Sequence, residues 1–174
     1  MERLIPKNTL VELRRVIDKV WDASREETQS GTVFDLGPGH SPQKPVLRRL
    51  KKPDEYDQVF WDFASGLIAD VASDIAGPNV VFHHSKLNFK WNDGSDEVKW
   101  HQDAQFFPHT NYNVFTIGCY LNDTGLEDGP LAVRPGSHQG KLYNLYHGET
   151  WAGCLTDEDA GSLSMEDAEY LTGG

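Results

Sequence analysis

Trp100-His101-Gln102-Asp103 is the stretch of this sequence best suited to chemistry. On an extended chain, side chains at i and i+2 point to the same side, so the His101 imidazole and the Asp103 carboxylate converge. They are two of the three groups in a 2-His-1-carboxylate facial triad. That set holds Fe(II) on one face of an octahedron and leaves three positions open. A surface histidine with an aspartate two residues on is also commonplace, so the pair by itself leaves both readings open.

A second polar set lies upstream. Residues 80–91 alternate in character, with His84, Lys86, Asn88 and Lys90 on one face. Such a face either lines a cavity or is solvated, and alternating Lys and His are ordinary on a solvated strand. His138 lies in Pro135-Gly136-Ser137-His138, where a turn is the plainer role. His40, His83 and His109 have no motif around them, and surface or core hydrogen bonding is expected of them. Cys119 sits in an apolar run as a small buried hydrophobe would. Cys154 carries no signal.

The elements that must position these residues change character midway. Thr9 and Glu12 have capping-box spacing, and Leu10, Leu13, Val16, Ile17, Val20 and Trp21 recur on one helical face behind them. Residues 30–52 are broken by glycines and prolines, leaving room for one short strand near Thr32–Leu36. A second helix is predicted after Pro53, with Tyr56, Phe60, Phe63, Leu67, Val71 and Ile75 on one face and Gly77-Pro78 as its stop. From Asn79 the period becomes two. Strands are predicted at residues 80–91, Val98–Trp100, Tyr112–Leu121 and Leu131–Arg134, with turns at Asn92–Ser95, Pro108–Asn111 and Asn122–Gly129. Helices followed by short strands indicate an α+β domain, mainly β, whose β part is a barrel or jelly roll.

Composition narrows the partners. The chain has 174 residues, with 16 Lys+Arg against 27 Asp+Glu and a net charge of −11. Nucleic acid and anionic membrane surfaces reward clustered Lys and Arg, so neither is expected as a partner. No Lys or Arg follows Lys141. No apolar run approaches the ~20 residues of a membrane span. The first residues show no apolar signal segment. Two cysteines imply no disulfide framework. A soluble cytoplasmic protein is the expectation.

Five motifs occur in order between Trp100 and His138. They are His101-Gln102-Asp103, Phe106-Phe107-Pro108, Val114–Asp123, Asp128-Gly129-Pro130-Leu131 and Pro135-Gly136-Ser137-His138. This ordered set resembles the phytanoyl-CoA dioxygenase family of Fe(II)/2-oxoglutarate oxygenases, ectoine hydroxylase-like members included. The resemblance runs from about Val80 to His138, with weaker support from Thr9–Trp21. It implies a double-stranded β-helix (a cupin-like jelly roll) with N-terminal helices. One domain over 1–174 is expected, with a helical and loop part at 1–78 and a jelly-roll part at 79–174. It also implies Fe(II), 2-oxoglutarate and O2 as cofactor and co-substrates, and a small organic molecule as substrate.

Residue by residue, the resemblance makes His101 and Asp103 iron ligands. A carboxylate at Asp103 favours hydroxylation, because related halogenases carry Ala or Gly there. It places Asn88, His84 and Cys119 near 2-oxoglutarate. Lys86 and Phe106 would face the substrate, the cation of Lys86 suiting a carboxylate. In the family the histidine matching His138 belongs to a turn and is no ligand.

Two expected parts are missing: a distal histidine as third ligand, and beyond it an arginine for the far carboxylate of 2-oxoglutarate. Lysine does not replace the bidentate fork of arginine. The chain is therefore expected to stop before the last strands of the jelly roll and to be inactive alone. Three readings compete. The first is part of an Fe(II)/2-oxoglutarate hydroxylase. The second is a non-catalytic jelly-roll binding module. The third is a metal site, zinc among the candidate ions, completed within the chain by His147 or His138.

Overall fold

A proline opens the first helix. In the computed structural model, which describes residues 4–91, 97–107, 109–111 and 113–173, α1 spans Lys7–Ser24 with Pro6 at its N-cap (φ −58°, ψ 142°). The Pro6 carbonyl accepts from Leu10 N at 2.9 Å. The expected capping box does not form, since no side chain caps this end. The fixed φ of proline starts the helix early, so Thr9 is already helical, and Glu12 instead pairs with Arg15 at 2.9 Å. The apolar stripe is as predicted: Leu13, Val16 and Val20 are buried and join a core with Phe34, Leu47, Leu50 and Phe60.

The chain divides into two compact units, one of Met1–Lys90 with Cys119–Asn122 and the other of Trp91–Gly118 with Asp123–Gly174. In the first unit, β1 (Phe34–Leu36), β2 (Leu47–Lys51) and β3 (Lys86–Asn88) form an antiparallel sheet in the order β1-β2-β3. The sequence gives no clear sign of β2. The reason is a register shift: Asp35 pairs with Arg49, but Leu36 pairs with Leu47. The extra residue, Arg48, is a bulge, so Leu47 and Leu50 are both buried although they lie three apart. In β3 the expected alternation holds. Lys86, Asn88 and Lys90 are exposed, while Ser85, Leu87 and Phe89 are half-buried. The strand itself is shorter than the predicted 80–91.

The predicted second helix is four pieces. They are α2 (Pro53–Tyr56), α3 (Gln58–Phe63), a π-helical turn (Ala64–Ile68) and α4 (Ala69–Ala76), ended by Gly77 at φ 88°. Asp57 breaks the run in extended conformation and caps α3, its Oδ1 accepting from Val59 N at 3.0 Å. The π turn adds a residue to the helical repeat and rotates the face that follows. Phe60 and Val71 stay buried, whereas Ile75 lies outside the core with 63% of its surface exposed. Arg14 of α1 grips the returning segment, donating from Nε (2.9 Å) and Nη2 (2.6 Å) to the Leu121 carbonyl.

The second unit contains three small pairings. Strands β4 (Ala132–Val133) and β7 (Glu169–Tyr170) pair antiparallel, and β5 (Tyr146–His147) and β6 (Thr150–Trp151) form a hairpin. Thr124 and Gly173 form a single bridge. Between them lies α5 (Asp157–Gly161), capped by Thr156, which accepts from Asp159 N. Leu145 and Leu155 are buried. Of the strands predicted in this region, only Leu131–Arg134 contains one. Val98–Trp100 and the described residues of 112–121 lack ladder pairing. The predicted turn at Asn92–Ser95 lies outside the described residues. The fold is a mixture of helices and small antiparallel sheets, and among the described residues the sheets do not close into a barrel. No described helix is long and apolar enough to cross a membrane.

Candidate active site

His101 and Asp103 converge without the strand expected to carry them. Gln102 is extended (φ −122°, ψ 114°), and Asp103 then opens a 3-10 turn over Asp103–Phe106. One extended residue suffices to put i and i+2 on the same side. His101 Nε2 lies 3.1 Å from Asp103 Oδ1. His101 Nδ1 lies 2.8 Å from the Lys99 carbonyl. A carbonyl only accepts, so Nδ1 carries a hydrogen and Nε2 is the nitrogen turned to the carboxylate. Two acceptors this close need a cation between them, either a proton or a metal ion.

The spacing suits a metal. Bonds of about 2.1 Å meeting at a right angle separate two donors by about 3.0 Å, the cis edge of an octahedron, whereas a tetrahedral site separates them by about 3.4 Å. Thr116 Oγ1 donates to the other carboxylate oxygen, Asp103 Oδ2, at 3.2 Å. That bond orients the carboxylate from behind, as partners of metal ligands commonly do. The donor set is incomplete here: no group of three His, Cys, Asp or Glu side chains gathers to hold a metal among the described residues. His138, in the 3-10 turn Ser137–Gln139, and His147, on β5, are both exposed and do not complete one. The reading of a site completed within the chain by either histidine is thereby corrected. The turn expected at His138 is present.

Two glutamines hold the site in place, and the sequence reading assigned neither. Gln102 Oε1 accepts from Tyr143 N at 2.8 Å, and its Nε2 donates to the Lys141 carbonyl at 3.0 Å. Gln105 Nε2 donates to the Tyr143 carbonyl at 3.0 Å and to Gln102 Oε1 at 3.2 Å. The backbone of 141–143 is thus sewn to the turn that bears Asp103. The Leu155 amide donates to the Trp100 carbonyl at 2.8 Å and fastens the other side. A sequence signal did exist: Gln102 sits between the two candidate ligands and must point away from them.

Phe106 is beside the pair, with its ring 5.6 Å from the His101 ring. The other expected residues belong to the first unit. Asn88 Oδ1 accepts from Arg49 Nε at 3.0 Å. His84 Nδ1 is 2.8 Å from His83 Nδ1. Lys86 is exposed on β3. Cys119 is corrected: it lies outside any strand and is exposed, not a buried hydrophobe. Desolvation by the surrounding chain still pushes its thiol pKa up. The hydrogen-bonding role expected of His40 is present, its Nδ1 accepting from Val46 N at 2.9 Å and its Nε2 lying 3.2 Å from the Glu27 carbonyl. His109 Nδ1 lies 2.7 Å from the Phe107 carbonyl.

Comparison with known proteins finds relatives over most of the chain. The family model described as phytanoyl-CoA dioxygenase (PhyH) matches residues 1–168. A Stutzerimonas stutzeri protein named "Probable alpha-ketoglutarate-dependent hypophosphite dioxygenase" is 37% identical over 132 residues, 74% of this chain and 46% of the relative. An ectoine dioxygenase of Sphingopyxis alaskensis is 30% identical over 128 residues, 71% of this chain and 37% of the relative. The peroxisomal phytanoyl-CoA dioxygenase of Rattus norvegicus is 26% identical over 108 residues, 60% of this chain and 32% of the relative. The chain spans less than half the length of these relatives. No solved structure matches it significantly. With the family model covering nearly its whole length, the chain belongs to the phytanoyl-CoA dioxygenase (PhyH) family.

Proposed function

We propose that the chain is the ligand-bearing part of an Fe(II)- and 2-oxoglutarate-dependent dioxygenase that hydroxylates a small organic molecule. The observation that carries this is the 3.1 Å approach of His101 Nε2 to Asp103 Oδ1 at the cis spacing of an octahedral site. The name of the Stutzerimonas relative, which specifies alpha-ketoglutarate dependence, supports it. The fold in this reading is a cupin-like jelly roll. Bound iron would supply oxygen activation coupled to decarboxylation of 2-oxoglutarate.

The chain's own residues have narrower tasks. His101 and Asp103 hold the metal through Nε2 and Oδ1. The Lys99 carbonyl keeps the hydrogen on His101 Nδ1, and Thr116 steadies the carboxylate. Asn88, His84 and Cys119 face 2-oxoglutarate. Lys86 takes a substrate carboxylate, and Phe106 shields its apolar part from water. The third metal ligand and the anchor for the far carboxylate of 2-oxoglutarate are not among the residues assigned here. Both cysteines are free, in keeping with a cytoplasmic setting.

The test is Co(II) titration of the chain, followed by its visible absorption, with and without 2-oxoglutarate. Tighter binding with 2-oxoglutarate is expected, as is at least a tenfold loss of affinity in His101→Ala and in Asp103→Ala. Equal Co(II) affinity in the double variant would overturn the reading.

A further inference from the structure

The imidazole of His101 is held by a hydrogen bond and by a ring. Nδ1 lies 2.8 Å from the Lys99 carbonyl, but a hydrogen bond alone leaves the imidazole free to swing about that line and turn Nε2 away from Asp103. Phe106 meets the imidazole at 5.6 Å with the planes at 78°, and edge-to-face packing of this kind fixes the angle of one ring against another. Phe106 closes a short 3-10 turn and is 41% exposed, so its own turn leaves it room to change rotamer. Trp151 fills that room, its ring 5.4 Å from Phe106 at 77°. Tyr146, its cross-strand partner in the β5–β6 hairpin, braces Trp151 at 5.1 Å and 72°. Each ring stands nearly perpendicular to the next, so the three form a corner. Gly153 lets them meet: it has φ +67°, and a Cβ there would lie 3.2 Å from Phe106 Cε1 and Cζ and 3.5 Å from Trp151 Nε1.

The hairpin arrives on a strap tied at both ends beside the metal-ligand candidates. Before it, Gln102 and Gln105 hold the backbone at Lys141 and Tyr143. After it, the Leu155 amide donates to the Trp100 carbonyl at 2.8 Å. Leu145, fully buried, closes the return, its carbonyl accepting from Ala152 N at 3.0 Å and Gly153 N at 3.1 Å. All of these residues belong to the second unit. Trp151 is therefore set against Phe106 by backbone that shares its anchors with His101 and Asp103. With 41% of its surface exposed, Trp151 is no core residue, and the contact with Phe106 is what its placement achieves.

We propose that Trp151 is a positioning residue for the metal site: through Phe106 it holds the His101 imidazole at the angle that sets Nε2 beside Asp103 Oδ1. This deepens the proposed function and rests on it, since it takes His101 as a metal ligand. Residues that steady a metal ligand from behind commonly do so by hydrogen bonds. Trp151 does so by ring contacts, and its effect therefore falls on the orientation of the imidazole.

The test starts with the metal-free chain, where NMR of the His101 ring protons reports orientation because the adjacent Phe106 ring shifts them according to distance and angle. Trp151→Leu is expected to move these signals and to weaken Co(II) binding at least about threefold. Trp151→Phe, which keeps a ring against Phe106, is expected to bring both back toward the parent values. In a Phe106→Leu background, Trp151→Leu is expected to cost no further Co(II) affinity, because the link is already gone. Unmoved His101 signals in Trp151→Leu, or additive losses in the double variant, would overturn the proposal. So would Co(II) affinity that merely follows the unfolding midpoint in Trp151→Leu and Trp151→Phe alike, since the ring would then be only structural. The His101 signals of the metal-free chain decide on the ring contacts whether or not Co(II) binds, so failure of the metal site and failure of the positioning role are distinguishable.

Discussion

Gln102 is bound to residue 143 more firmly than to its own neighbours: its Oε1 accepts from the Tyr143 amide at 2.8 Å while its Nε2 donates to the Lys141 carbonyl at 3.0 Å. The residue between the two metal-ligand candidates therefore fixes their backbone from the opposite side. A side chain that looks incidental in His101-Gln102-Asp103 is the clamp of the motif.

Replacing it tests the clamp. Gln102→Ala removes three hydrogen bonds, counting the one from Gln105, each worth about 0.5–1.5 kcal/mol net. The chain is expected to lose about 1–3 kcal/mol of stability in urea unfolding and to bind Co(II) more weakly. Gln102→Glu keeps the acceptor but loses the donor to Lys141, so its loss is expected to be smaller.

Thr116 holds the Asp103 carboxylate and is not itself a ligand candidate. Thr116→Val removes the donor to Asp103 Oδ2 while keeping the shape of an exposed side chain. Co(II) affinity is expected to fall about tenfold, the usual effect of losing such a partner. The unfolding midpoint is expected to stay in place, and a shift of both together would mean that the bond is only structural.

Gly153→Ala strains two things at once. An L-residue at φ +67° costs about 1–2 kcal/mol, and the new methyl meets Phe106 at 3.2 Å. Thermal unfolding is expected to report a loss of at least about 1 kcal/mol, and the near-UV signal of Trp151 and Tyr146 is expected to change as the corner opens.

Arg14 has a comparable role in the first unit. Arg14→Leu removes both donors to the Leu121 carbonyl, for an expected loss of about 1 kcal/mol. Hydrogen exchange is expected to speed up in 119–122. Arg14→Lys is expected to restore only part of the protection, because an ammonium lacks the planar fork.

Cys119 gives the pH prediction. Desolvation raises its thiol pKa, so the folded chain holds less thiolate than a free cysteine does just above neutrality. Iodoacetamide should react more slowly with the folded chain at pH 8 than with the urea-unfolded one, and the gap should close as pH rises through the raised value. Stability has the same sign: the contribution is whole below the ordinary thiol pKa and is lost as pH rises through the folded one.

Much of this was legible in the residues themselves. The stripe Leu13, Val16, Val20 dictated a helix with one buried face, because burying one stripe of a helix requires that period. His101 and Asp103 were legible because i and i+2 share a side wherever the residue between is extended. The alternation around Lys86 and Asn88 held for the same reason. Family membership was legible because ordered motifs survive where single residues mislead.

What the sequence left open lay in contacts between distant residues. β2 was hidden because a bulge at Arg48 let Leu47 and Leu50 face one core at a spacing that local period cannot explain. The helical face failed at Ile75 because a π turn inserted a residue that no side chain announces. The capping box gave way to Pro6 because an upstream proline outranked a good local motif. The tautomer of His101, the clamp at Gln102 and the meeting of Phe106 with Trp151 depend on residues brought in from 39 to 45 positions away or on a carbonyl turned toward the ring. Side-chain type and local period decided which residues could hold a metal. Only the tertiary structure decided how they are held, because a hydrogen bond or a ring contact needs a partner that spacing along the chain does not specify.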